Sequence, residues 1–71
     1  MSDTRHHRRP SSIGGTNEPR NISWISQSRH RAWHLLFQNF EARRIAELIN
    51  TYYLDPDFEF VVVRKEESDD D

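Results

Sequence analysis

Seventy-one residues with a net charge of −2 make one domain at most, and a chain this short buries only about 60 % of its unfolded surface, so a deep, preorganised catalytic cleft is not expected. The absence of cysteine excludes disulfide frameworks and thiolate metal sites. No apolar run approaches the roughly 20 residues that span a bilayer, and the basic N-terminus is not followed by the apolar segment of a signal peptide, so a cytoplasmic protein without a membrane partner is expected.

Residues 1–20 open with "TRHHRRP" and carry Arg5, Arg8, Arg9 and Arg20 against Asp3 and Glu18. Ile13 is their only large aliphatic residue after Met1, and Pro10, Ser11, Ser12, Gly14, Gly15, Asn17 and Pro19 fill much of the remainder. Such a segment buries too little apolar surface to offset its ordering entropy. It reads as a disordered basic arm. Nine of the ten cationic side chains in the chain are Arg and only Lys65 is Lys. Arg is the interface cation, a planar fork suited to carboxylates, phosphates and aromatic faces; a GC-rich genome is the other source of the bias.

All eight aromatic residues lie between Trp24 and Phe60, which places the folded part at residues 21–65. "NISWIS" alternates, with Ile22, Trp24 and Ser26 on one side and Ser23 and Ile25 on the other, and reads as a strand. "QSRHR" reads as a turn. In "AWHLLF", Trp33, Leu35 and Phe37 alternate with Ala32, His34 and Leu36, so a second strand is favoured over residues 31–37, with a helix as the rival assignment. "NFEARRIAELINTYYL" reads as a helix. Asn39 is placed to cap it and Glu41 to meet its positive end. Ala42, Ile45, Leu48, Ile49 and Tyr52 form its apolar stripe, while Arg43, Arg44, Glu47 and Asn50 face outward, with Arg43 and Glu47 spaced for an ion pair. Pro56 ends the helix in "LDPD", and "FEFVVV" is rich enough in β-branched and aromatic residues for a third strand. The tail, "EESDDD" over residues 66–71, reads as disordered and acidic. The fold expected is therefore a minimal α+β domain of ββαβ order. Its three strands form a mostly antiparallel sheet in order 2-1-3, one helix covers one face, and both termini are disordered.

Four histidines occur as the adjacent pair His6 and His7 and the four-spaced pair His30 and His34. Such pairs can share a metal, but with His6 and His7 on a disordered arm the reading is solvated histidines, and neither metal nor cofactor is expected. Asp55, Asp57 and Glu59 are acids of a turn and a strand edge. "IGG" lacks the strand–glycine–helix context of a phosphate loop, so no enzyme is expected. A basic arm ahead of a small domain suits DNA or RNA, but the acidic tail opposes phosphate. A protein partner uses more of the chain: Arg5, Arg8, Arg9 and Arg20 would meet acids on the partner, with Ile13, Ile22 and Trp24 as apolar anchors. A monomer is expected.

The body of the chain, "SSIGGTNEPRNISWISQSRHRAWHLLFQNFEARRIAELINTYYLDPDFEFVVVRKEE" behind the basic "RHHRRP" head, resembles the small RNA-polymerase-binding transcription regulators of bacteriophages, in particular of a Xanthomonas phage. The resemblance covers essentially the whole chain and rests on no single motif. It implies a non-enzymatic protein acting in the bacterial host cytoplasm. Its partner would be the N-terminal region of the β′ subunit of RNA polymerase. It would inhibit sigma-dependent initiation and promote antitermination in concert with the elongation factor NusA, with nucleic-acid contact secondary. The alternative is a small DNA- or RNA-binding regulator whose arginine arm grips phosphate.

Overall fold

The computed structural model describes residues 3–65, so the acidic tail at 66–71 lies outside the described residues. The chain divides into two compact units, residues 1–41 and 42–71.

The first unit is a two-stranded hairpin carrying a helix. Strand β1, Asp3–His7, pairs antiparallel with strand β2, Ile22–Ser26. The register sets Thr4 opposite Ile25, Arg5 opposite Trp24, and His6 opposite Ser23. Helix α1, Gln27–Phe37, follows β2 directly. The Ser26 side chain accepts the Arg29 N–H at its start, satisfying one of the donors that the first turn leaves without a partner. Two isolated strands are marginal in water. Here α1 lies against the face that carries Thr4 and His6: His30 bonds Thr4, and the Trp33 ring meets His6 at 5.7 Å and Phe37 at 4.7 Å between centroids. Among the described residues only Phe37 and His6 are buried, so the core is a small aromatic cluster rather than an aliphatic one.

The link between the strands is folded back by short-range bonds. It contains 3-10 turns at Ser11–Ile13 and Pro19–Asn21. The Gly15 N–H donates to the Pro10 carbonyl, and a Cβ on Gly15 would sit 1.7 Å from the Arg9 carbonyl oxygen. No side chain fits there, so the tight return needs glycine.

The second unit is built on helix α2, Ala42–Leu48, which continues as a π-helical turn over Ile49–Tyr53. Ile45, Leu48 and Ile49 are half-buried, whereas Ala42 and Tyr52, assigned to the same stripe from spacing, are exposed. An ion pair on its surface joins Arg44 to Glu47 at 2.6 Å. Both groups are exposed, and such pairs contribute about 0–1 kcal/mol. The helical backbone stops before Asp55-Pro56. There the Asp55 carboxylate accepts the Asp57 N–H and its carbonyl accepts the Phe58 N–H.

These elements correct the expected fold. The sheet has two strands and the described chain has two α-helices, not three strands and one helix. Residues 31–37 are helical because Ser26 caps and because His30, Trp33, His34 and Phe37 repeat at helical spacing. The strand that pairs with β2 comes from within residues 1–20, the segment read as a disordered arm. "FEFVVV" is not a strand. Its Phe60 peptide is bonded on both sides by one side chain, the Asn50 amide. β-propensity reflects packing on a pleated surface, and this segment has one amide where a strand would have a neighbour.

Candidate functional site

The face of the hairpin turned to α1 brings three histidines together. His6 comes from β1, and His30 and His34 come from successive turns of α1, four residues apart and therefore on one side of it. Ring centroids are 5.2 Å apart for His6 and His30, 6.1 Å for His6 and His34, and 4.8 Å for His30 and His34. One side-chain nitrogen from each ring lies within 4.8 Å of the others. His6 is 8 % exposed, His30 half-buried and His34 exposed, so the cluster runs from the core to the surface. It lines a cavity of about 210 Å³ whose wall also includes Arg5, Trp33 and Asn39.

Two features fix its chemistry. The Thr4 hydroxyl donates to the Ile25 carbonyl at 3.1 Å, which spends its single proton. Its oxygen, 2.7 Å from His30 Nδ1, therefore accepts the Nδ1–H, and the His30 Nε2 lone pair is left open. His6 Nδ1 is buried with no hydrogen-bond partner, a costly state for a polar atom. Burial, followed by the charges that His30, His34, His7 and Arg8 can carry, holds the His6 imidazole below the usual histidine range. His7 is not part of the cluster: its Nε2–H donates to Asn17 Oδ1 at 2.7 Å.

Of the residues assigned to partner binding, Arg5, Ile22 and Trp24 lie on the two strands, and Arg5 also lines the histidine cavity. Arg5 and Trp24 are directly opposed, and Trp24 is 64 % exposed. Ile22 is half-buried opposite His7. Arg8, Arg9, Ile13 and Arg20 lie in the link between the strands. There the Arg8 guanidinium donates to the Arg20 carbonyl at 3.1 Å and Arg9 Nε–H to the Ile13 carbonyl at 2.9 Å. These two arginines hold the link together as well as offering charge. All seven residues thus sit in one hairpin, with Arg5 and Trp24 brought into register.

The convergence of His6 with His30 and His34 escaped the sequence reading, although its parts were visible. "TRHH" alternates as a strand does, with Thr4 and His6 on one side, and the four-spaced pair sits on the stripe that also carries Trp33 and Phe37.

Among the described residues, no helix is long and apolar enough to cross a membrane. Comparison of the chain with protein-family models, with curated proteins and with solved structures finds no match.

Proposed function

We propose that the chain is a non-enzymatic, phage-encoded regulator that binds bacterial RNA polymerase through the N-terminal region of β′, inhibits sigma-dependent initiation and promotes antitermination together with NusA. The polymerase and its β′ region come from the whole-chain resemblance. The observation that carries a protein-docking reading is the Arg5–Trp24 pair: opposed across the hairpin, with Trp24 largely exposed to solvent. Trp and Arg are the side chains most enriched at binding hot spots. A tryptophan held on a paired strand offers its surface with little ordering left to lose on docking.

The test is the affinity of the full chain for purified bacterial RNA polymerase, read by fluorescence anisotropy at several salt concentrations. Trp24→Ala and Arg5→Ala should each weaken binding by about thirtyfold, the scale of a hot-spot truncation. A wild-type chain that does not bind polymerase overturns the assignment. Binding to DNA or RNA alone that declines log-linearly and steeply with salt would replace it with the nucleic-acid regulator.

A further inference from the structure

We propose that His6, His30 and His34 form a binding site for one divalent transition-metal ion of the zinc, copper and nickel class, which ties β1 to α1.

Three rings from two elements converge on one cavity. Tetrahedral zinc with nitrogen ligands at about 2.0–2.1 Å sets those nitrogens about 3.3 Å apart. The side-chain nitrogens here lie within 4.8 Å of one another, and His34, exposed on the helix surface, can turn to close the difference. The donor set selects the metal. It is all imidazole, which suits zinc, copper and nickel, and it holds no carboxylate of the kind calcium and magnesium need.

Two observations beyond the clustering point to a ligand. The first is the chain from the Ile25 carbonyl through the Thr4 hydroxyl to His30 Nδ1. Metal-ligating histidines are oriented in this way, with the second ring nitrogen donating to a fixed oxygen so that the first presents its lone pair. The second is His6 Nδ1, nine-tenths shielded with its residue and lacking a partner. Coordination at that atom supplies one. The cavity leaves room for water to complete the coordination shell.

The site does not rest on the polymerase reading: its three rings share the face of Thr4 and His6, although Arg5 also lines their cavity. Its consequence is stability. A unit with two buried residues among those described gains most from a cross-link between its elements, and an ion bound to the folded state alone raises stability by mass action.

The experiment uses the full chain, stripped with chelator, titrated with zinc chloride by calorimetry and with cobalt(II) by visible absorption. One ion per chain is expected, with the intense d–d bands of four-coordinate cobalt. The variant His34→Ala removes an exposed ring, so circular dichroism should show the fold intact, and its zinc affinity should fall at least tenfold. His7→Ala should bind as the wild type does. Thr4→Val, which removes the oxygen behind His30, should weaken binding by about 10–100-fold. No heat and no cobalt bands with the wild type, or undiminished binding in a folded His34→Ala chain, would overturn the site.

Discussion

Asn21 and Arg9 exchange two hydrogen bonds across the link between the strands: the Arg9 N–H donates to Asn21 Oδ1 at 2.7 Å, and Asn21 Nδ2 donates to the Arg9 carbonyl at 3.1 Å. The same Nδ2 donates to the Thr16 carbonyl at 2.6 Å, and the Asn21 carbonyl accepts the Arg8 N–H at 2.7 Å. One amide thus does for the link what a third strand would do. Each such bond contributes about 0.5–1.5 kcal/mol net. Asn21→Ala should therefore cost about 2 kcal/mol, and for a chain of this size lower the melting temperature by roughly 8–16 °C. Asn21→Asp keeps the acceptor but turns a carboxylate oxygen toward the Arg9 and Thr16 carbonyls, so it should cost at least as much as alanine. Thermal circular dichroism of the three proteins checks the order; an alanine variant that melts with the wild type would remove the clamp from the account.

Gln38 ends α1 with φ 50° and ψ −129°, a conformation that a side chain with a Cβ adopts only under strain. Its N–H caps the His34 carbonyl, and that bond does not need the glutamine side chain. Gln38→Gly should stabilise the chain by about 1 kcal/mol, since the relief exceeds the entropy that glycine adds to the unfolded state. A chemical denaturation midpoint that moves up with an unchanged slope is the expected result. A midpoint that moves down would show that the side chain contributes more than the strain costs.

The strand at Ile22–Ser26, the helix over Ala42–Leu48 and the stop before Pro56 were legible, because each rests on local signals: alternation, a stripe and a proline. The identity of the second strand was not. "TRHHRRP" reads as an arm because Arg and His count as polar in any hydropathy pattern, yet His6 is one of the two buried residues among those described and packs as an aromatic ring. The same weighting hid the helix at Gln27–Phe37. His30 and His34 complete a stripe with Trp33 and Phe37 once imidazole is allowed on the buried side. "FEFVVV" fails in the other direction, since local propensity cannot say whether a partner strand exists. The site shared these errors, because the histidine cluster exists only when both misread segments take their observed forms.

His6 makes the metal-free chain sensitive to acid. Burial and its basic neighbours hold the folded-state ring below the ordinary value, whereas the unfolded ring titrates near 6.5. Below that pH the unfolded chain takes up a proton that the folded chain resists, so stability falls as pH decreases from the unfolded value through the folded one. Above the unfolded value the contribution is fully present. Chelator-treated protein should melt lower at pH 5 than at pH 7.5, and the His6 ring should titrate by NMR below the midpoint of a histidine in a short peptide. A midpoint at or above the peptide value would reverse the sign.

Asn50 performs in the second unit what Asn21 performs in the first. Its Nδ2 donates to the Phe60 carbonyl at 2.9 Å, and the Phe60 N–H donates to its Oδ1 at 2.8 Å. The amide copies the two bonds that a neighbouring strand would give one residue. It holds the segment after the Pro56 turn although Phe58, Phe60, Val61 and Val63 are all exposed, so little apolar burial supports the same placement. Asn50→Ala should leave the helix formed and release this segment. Amide exchange at Phe60 should then quicken by about tenfold, the equivalent of losing one bond of about 1–1.5 kcal/mol, while exchange within Ala42–Leu48 stays near its wild-type rate. Exchange that quickens equally in both places would mean that the helix depends on the clamp, and no change in either would mean that the segment is held by something other than Asn50.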